Sequence, residues 1–158
     1  MKVGEASEEH VERVVELWDQ LARAHEERDG SFRRAPDAQA FFRSCLREYM
    51  ASPDALVLVC EGGGRTAGYL TALVRLNPPI LEGGPYGLVE HLVVDPADRG
   101  RGAGKSLALA ALDWFASGGI GRVEVEVAEW NREGTAFWRA MGFGPFQSTL
   151  ARELPRHA

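Results

Sequence analysis

The sequence predicts an α/β fold in which a mixed sheet carries helices on both faces, and three observations lead to this prediction. Residues 88–94 form an apolar run, ended by Asp95-Pro96, that is typical of a buried strand. A glycine-rich segment follows, and then residues 107–115 place apolar side chains at helical spacing. Two amphipathic helical patterns precede this unit, and strand and helix patterns alternate after it.

The first third of the chain is predicted to be helical. Ser7 is a candidate N-cap, and apolar side chains recur on one helical face over residues 11–22. A second helix is predicted after Pro36 and ends at Ser52-Pro53. Because amphipathic helices bury their apolar stripe, we expect the stripe of this second helix to face the core. Its members are Phe41, Phe42, Cys45, Leu46 and Tyr49.

Strand patterns occupy the middle of the chain. Residues 55–60 and 66–75 flank a run of glycines and predict a β-hairpin. Residues 77–87 contain three prolines and three glycines, which predicts a long loop of a kind that often carries function. Valines alternate with polar residues over 122–128, which predicts a half-exposed strand.

The C-terminal region is predicted to hold one more helix and one more strand. Asn131 is a candidate N-cap, and Gly142 is the expected C-terminal stop of the helix that follows. Residues 146–154 are predicted to add a final strand before the end of the chain.

Composition narrows the function classes. The chain has 158 residues, which favours a single domain over 1–158. Its formal net charge of -5 argues against a nucleic-acid partner, which needs clustered excess Lys and Arg. Because no apolar run reaches transmembrane length and no targeting segment is apparent, we expect no membrane partner. Cys45 and Cys60 lie in apolar segments, and as reduced core thiols they indicate a cytoplasmic location. The histidines and cysteines show no metal-ligand spacing, so we expect no metal.

Residues 99–105 are the clearest chemical signal in the chain. Their three glycines leave backbone N–H groups without Cβ atoms at the start of a helix, which predicts an anion-binding loop for a phosphate. A nucleoside-triphosphatase loop ending at Gly104 requires glycine where this chain has Arg99. A dinucleotide fingerprint requires glycine where it has Lys105 or Leu107. Both of these familiar loops are therefore excluded.

Two motifs resemble those of the GNAT acetyltransferase superfamily. Arg-x-x-Gly-x-Gly, filled by Arg99, Gly102 and Gly104, lies between a strand and a helix, as does the pyrophosphate loop of the superfamily. Residues 131–143 read Asn-x-x-Gly-x-x-Phe-Trp-x-x-x-Gly-Phe, similar in register to the superfamily's Asn-x-x-Ala-x-x-aliphatic-Tyr-x-x-x-Gly-Phe. Together the motifs cover the C-terminal half, and the chain is identified on them as a member.

The resemblance implies the GNAT fold, which is a central, mostly antiparallel sheet with helices on both faces, and acetyl-CoA as the co-substrate. Members bind the pyrophosphate on loop amides and align the pantetheine arm along the backbone of the preceding strand. Capping alone explains Asn131 equally well. The cofactor-binding residues implied are Leu92, Val93, Val94, Arg99, Gly100, Arg101, Gly102, Ala103, Gly104, Lys105, Asn131 and Trp138.

Acetyl transfer to an amine needs a base, because amines are mostly protonated at neutral pH. Glu90 lies nine positions before Arg99, where spermidine/spermine-type members carry a catalytic glutamate, so the resemblance implies Glu90 as the base. The alternative is an exposed strand carboxylate paired with an arginine. His91 is a second candidate base. Because adjacent strand residues alternate, we expect only one of the two to face the thioester.

Trp138 departs from the superfamily pattern, since many members have at this position a tyrosine that protonates the departing thiolate. An indole N–H donates a hydrogen bond but is not a practical acid. We therefore expect the thiolate, with a pKa of about 8.5 if it behaves like a cysteine thiol, to leave without an acid or through water. Tyr86, at the end of the long loop, is an alternative donor.

The resemblance implies an N-acetyltransferase acting on the primary amine of a small molecule, with specificity set by residues 18–34 and 77–87. Acidic residues there favour a cationic acceptor such as a polyamine or an aminoglycoside-like compound, whereas interleaved arginines favour an ordinary solvated surface. The acidic residues are Asp19, Glu26, Glu27, Asp29 and Glu82, and the arginines are Arg23, Arg28, Arg33 and Arg34. A protein or peptide acetyltransferase and a non-catalytic acyl-CoA sensor are the alternatives. By analogy with the superfamily, we expect a homodimer.

Overall fold

A computed structural model describes residues 1–155 as an α/β fold. The strands are β1 (Lys2–Glu5), β2 (Ala55–Gly62), β3 (Arg65–Leu76), β4 (Pro85–Val94) and β5 (Val123–Val125). The α-helices are α1 (Val11–Arg28), α2 (Ala38–Ala51), α3 (Ala103–Ser117) and α4 (Arg132–Ala140).

The strands form one sheet in the order β1-β2-β3-β4-β5. Strands β1 to β4 pair antiparallel with their neighbours, whereas β4 and β5 pair parallel. A parallel pair needs a crossover connection, and α3 supplies it. The predicted hairpin is confirmed as β2 and β3, and so is the mostly antiparallel mixed sheet.

Apolar side chains cover both faces of the sheet. On one face, strands β2 to β4 pack against α1 and α2 in a cluster of Val11, Val14, Val15, Leu17, Phe42, Leu46, Val57, Val59, Tyr69 and Val93. Leu56 and Leu58 alternate with the β2 members of this cluster and are buried on the opposite face. Helix α3 packs on β2, β3 and β4, and its Phe115 ring lies so close to Gly87 that an added Cβ would come within 2.6 Å. The prediction of helices on both faces is therefore confirmed.

The chain divides into two compact units. The first, Met1–Glu126, holds the sheet and helices α1 to α3, and the second begins at Val127 and holds α4. A single domain over 1–158 stays a prediction. Within residues 1–155, no helix is both long enough and apolar enough to cross a membrane.

Several elements differ from their predictions. Strand β1 was not predicted, because its sequence Lys-Val-Gly-Glu contains a single large apolar residue and pairs with β2 through its backbone. Phe41 is 70% exposed, so the buried stripe of α2 is narrower than predicted and consists of Phe42 and Leu46. The strand predicted over 122–128 is confirmed only over Val123–Val125.

The final strand predicted over residues 146–154 is wrong. No strand is assigned anywhere in residues 143–155. The large apolar side chains of the segment, Phe146, Leu150 and Leu154, are all more than two-thirds exposed. A strand at this position needs a sheet that buries one of its faces, and these side chains have no such burial.

Candidate active site

Strand β4 contains an extra residue at Glu90. His91 pairs with Thr71 of β3, but the next pair along is Val89 with Ala72, so Glu90 has no partner in the ladder. This is a β-bulge, in which one strand contributes two residues opposite one residue of its neighbour. A bulge interrupts the alternation of side chains along the strand, and it does so at the predicted catalytic position.

The bulge places Glu90 and His91 on the same face of the sheet. Glu90 Oε2 accepts a hydrogen bond of 3.0 Å from the hydroxyl of Tyr49 on α2. The His91 ring lies edge-on to Phe42, also on α2, with ring centroids 5.6 Å apart. Which of the two side chains faces the thioester stays a prediction, but the premise that they lie on opposite faces of the strand is wrong. It assumed regular alternation, which the extra residue removes.

Two side chains hold the carboxylate of Glu90. Tyr49 donates to one oxygen, and the guanidinium Nη2 of Arg75 lies 3.6 Å from the other. The Glu90 side chain is 23% exposed, so it is partly buried but still accessible to solvent. Burial, together with the charge of Glu90, raises the pKa of Tyr49 to about 12. The Tyr49 hydroxyl therefore stays protonated and remains a donor at neutral pH.

His91 lies in an apolar setting. Its Nδ1 is 3.2 Å from Thr71 Oγ1, and its ring packs near Phe42 and Tyr69. Removal from water lowers the pKa of His91 to about 4, with a smaller contribution from the charge of His25. The imidazole is therefore neutral at pH 7, and its apolar surroundings disfavour the charged form that a base takes on when it accepts a proton. Glu90, whose side chain is 23% exposed, is the better candidate of the two.

Strand β4 continues past the end of its pairing with β5. The parallel pairing joins only Gly87–Val89 of β4 to Val123–Val125. Beyond Val89, β4 runs on to Val94 with no β5 partner among the described residues. This stretch contains Leu92, Val93 and Val94, the residues predicted to align the pantetheine arm. Their backbone edge is thus left for a ligand to pair with, whereas Val93 itself is buried.

The glycine loop leads directly into α3. Gly100 and Gly102 have φ values of 75° and 85°, a region that residues with a Cβ rarely adopt. Gly102 is the N-cap of α3, and no side chain caps the helix there. The first helical hydrogen bond runs from Ser106 N to Gly102 O, so the amides of Ala103, Gly104 and Lys105 have no partner within the helix. Amides so placed at a positive helix end are suited to bind an anion, and the anion site itself stays a prediction.

The buried carboxylate of Asp98 stabilises the glycine loop through ion pairs with two arginines. Asp98 is 3% exposed and lies 2.6 Å from Arg65 Nη2 and 3.0 Å from Arg101 Nη1. Arg65 also lies 3.1 Å from Asp95, at the end of β4. The hydrogen bond from the Ala97 amide, and after it the contacts with Arg65 and Arg13, lower the pKa of Asp95.

The sequence analysis missed the roles of Asp98 and Arg65. Arg65 lies at the start of β3, far in the sequence from the loop residue Asp98 that it pairs with. The Arg101 guanidinium donates a hydrogen bond to Asp98, so the donor that Arg101 offers to an anion is its backbone amide.

The second motif has a structural role in its own unit. Asn131 Oδ1 accepts a hydrogen bond of 2.9 Å from Gly134 N, which confirms the N-cap prediction for α4. Trp138 is 7% exposed and packs at 5.0 Å from both Phe137 and Phe143. The cofactor contacts of Asn131 and Trp138 stay predictions.

Comparison with known proteins settles the family. The model of the acetyltransferase (GNAT) family matches residues 15–143. The chain belongs to the GNAT family. It is 32% identical over 124 residues to a mycothiol acetyltransferase from a Nocardioides species, which is 72% of this chain and 42% of that enzyme. The match thus spans less than half the length of this curated relative.

Solved structures share the GNAT fold over nearly the whole chain. A tetramutant of a Bacillus halodurans protein superposes with a TM-score of 0.85 at 20% identity, covering 98% of this chain and all of that one. An aminoglycoside 6'-N-acetyltransferase from Acinetobacter haemolyticus gives 0.77 at 21% identity, covering 99% and 100%. A related 6'-N-acetyltransferase, captured with a bisubstrate analogue of CoA, gives 0.77 at 18%, covering 98% of each chain. At these identities the likeness establishes the fold.

The alternative proton donor of this GNAT chain, Tyr86, lies away from Glu90. It is on β4, where the Arg122 guanidinium sits 5.1 Å from the centre of its ring. It lies four positions before Glu90, or about 13 Å along the strand. Tyr49 is the tyrosine next to Glu90, and sequence reasoning had assigned it only to the core.

The acidic residues predicted to line the acceptor entrance are partly neutralised. Asp19 pairs with Arg23 at 2.7 Å and also with Arg34. Glu26 pairs with Arg34 at 2.9 Å, and Arg34 holds the pKa of Glu26 below its usual value. These pairs support the prediction of an ordinary solvated surface over that of a strongly acidic entrance.

Proposed function

We propose that the protein is an N-acetyltransferase that transfers the acetyl group of acetyl-CoA to the primary amine of a small molecule. The observation that carries this proposal is the bulge at Glu90. It brings a partly exposed carboxylate, held by Tyr49, to the point where β4 parts from β5. The same strand leads within thirteen residues to the open amides at the start of α3. A base and an anion cradle on one strand-loop-helix unit suit a reaction between an amine and a phosphate-bearing acyl donor.

The loop fits the pyrophosphate of CoA. Gly100 and Gly102 present open backbone, since a Cβ at either would meet no atom within 4 Å. The amides of Arg101 to Lys105 would hold the pyrophosphate, and the unpaired edge of β4 from Leu92 to Val94 would hold the pantetheine arm. When bound, acetyl-CoA supplies a thioester carbonyl carbon that accepts the amine nitrogen as its bond to sulfur breaks.

Glu90 would take the proton that the acceptor must lose. An alkyl amine with a pKa of about 10.4 is an ammonium ion at pH 7 and has no free lone pair. The carboxylate accepts this proton, directly or through one water, so that the nitrogen can attack the carbonyl carbon. The attacking nitrogen loses a second proton to water as the amide forms and the bond to sulfur breaks. The first proton then leaves Glu90 for solvent, and the carboxylate is ready for another turnover.

No side chain is needed to protonate the departing sulfur. Trp138 occupies the position of the usual tyrosine, and its indole is not a practical acid. A thiol of pKa about 8.5 is an acceptable leaving group as its anion, and water supplies its proton afterwards. Tyr49 does not replace the tyrosine, because a pKa of about 12 makes it a poor acid.

The acceptor is proposed to be a small amine, and it need not be a polycation. Relatives named as mycothiol and aminoglycoside acetyltransferases act on small molecules that bear amines. The ion pairs of Asp19 and Glu26 remove two of the charges that would recruit a polycation. We therefore expect amino sugars and simple primary amines among the acceptors, as well as polyamines.

Thiol release from acetyl-CoA tests this function. Wild-type protein is assayed with polyamines, aminoglycosides, amino sugars, amino acids and short peptides, and CoA binding is measured in parallel by calorimetry. Turnover with one class of small amine supports the proposal. Turnover with peptides alone would show a protein or peptide acetyltransferase. Tight CoA binding without turnover of any amine would show a sensor.

A further inference from the structure

We propose that Tyr49 is a positioning residue, whose hydroxyl orients the Glu90 carboxylate for proton abstraction. This inference rests on the proposed function of Glu90 as the base. Tyr49 and Glu90 lie 41 positions apart in the chain, on α2 and on β4, and join at 3.0 Å. No motif relates them, and only the fold brings them together.

The hydroxyl is the strongest contact that the carboxylate makes. A hydrogen bond to an ionised group is worth roughly tenfold or more in an equilibrium constant, and it favours the charged form. Arg75, in contrast, lies 3.6 Å from the other oxygen, beyond hydrogen-bond distance, and its side chain is 50% exposed. Solvent screens such a pair, so its effect on Glu90 is smaller. Tyr49 therefore fixes which way the carboxylate points.

Three titratable groups near Glu90 are uncharged at pH 7. Cys45 on α2 and Tyr69 on β3 both have pKa values raised by burial, and His91 on β4 has its pKa lowered to about 4. Arg75 is a charged side chain that faces Glu90, at 3.6 Å.

Substitution of Tyr49 by Phe removes the hydroxyl and keeps the ring. We expect kcat to fall about tenfold or more, since the carboxylate has lost the hydrogen bond that orients it. The KM for acetyl-CoA should stay unchanged. Tyr69→Phe is the matched control, because the Tyr69 hydroxyl is buried with no hydrogen-bond partner among the described residues. The kcat and KM profile of this control should match that of the wild type.

Double substitution separates positioning from a merely structural role. Because Tyr49 acts through Glu90, Tyr49→Phe should cause no further loss of turnover in a Glu90→Gln background. Additive losses, or a Tyr49→Phe profile identical to that of the wild type, would overturn the inference while leaving Glu90 as the base. A Glu90→Gln enzyme with wild-type turnover would instead overturn the proposed base, and the role of Tyr49 with it.

A second variant covers the case in which Tyr49→Phe does not fold. Incorporation of 3-fluorotyrosine at position 49 keeps the ring and the hydroxyl but makes the hydroxyl a stronger donor. The kcat should then equal or exceed that of the wild type. A kcat reduced about tenfold or more would refute the inference without any loss of packing.

Discussion

Substitution of Gly102 by Ala tests whether the start of α3 binds CoA. Gly102 has a φ of 85°, and a Cβ there would meet no atom within 4 Å, so the change adds backbone strain without a clash. A residue with a Cβ in this left-handed region costs about 1–2 kcal/mol. If relief of that strain withdraws one amide from the pyrophosphate, a hydrogen bond to a charged group is lost, worth about 1.5–3 kcal/mol. The dissociation constant for CoA should then rise about 10- to 150-fold.

Gly119→Ala is the matched control for this change. Gly119 lies just past the other end of α3, with a φ of 76° and no atom within 4 Å of an added Cβ. The two glycines are about 25 Å apart along the helix. Both variants should lose similar thermal stability, whereas only Gly102→Ala should lose affinity in calorimetric titration with CoA. Equal affinity in both variants and the wild type would refute the assignment of the loop.

Two further predictions concern side chains at or near the chemistry. Trp138→Phe should keep most of the turnover, because an indole gives no proton to the sulfur; a collapse of kcat with the fold intact, judged by circular dichroism, would show otherwise. His91 has its pKa lowered from 6.5 to about 4, so between those pH values the unfolded chain binds a proton that the folded chain does not. Its contribution to stability is therefore full above pH 6.5 and is lost as the pH falls, by about 2 kcal/mol between pH 7 and pH 5. Urea unfolding of His91→Asn should show a correspondingly smaller decline, and a parallel decline in both proteins would contradict this account.

Local patterns were sufficient to predict the hairpin, the glycine loop and the helices that flank them. Turn residues, β-branched runs and helical spacing are properties of a few adjacent residues, and they act as predicted in β2, β3 and α3. These local patterns do not predict elements whose formation depends on burial or on pairing with another strand. The strand predicted over residues 146–154 does not form, because the segment buries no face, and β1 forms with a single large apolar residue because β2 offers it a backbone edge.

The sequence was sufficient to predict individual residues of the candidate site but not the contacts between them. Glu90 and the loop follow from motifs, whereas the bulge depends on how β3 registers with β4, which a continuous apolar run does not reveal. The contact of Tyr49 with Glu90 and that of Asp98 with Arg65 join residues more than thirty positions apart. A cytoplasmic location and a homodimer stay predictions.

The central claim is that Glu90 removes the proton of the acceptor amine, and Glu90→Gln tests it most directly. With the best acceptor from the panel, thiol release at pH 7 should fall about 100- to 10,000-fold, the usual contribution of a general base. Calorimetric affinity for CoA should not change. The deficit should also shrink as the pH rises, because more of the amine is already deprotonated. Wild-type turnover at pH 7 in a variant that binds CoA normally would contradict the claim.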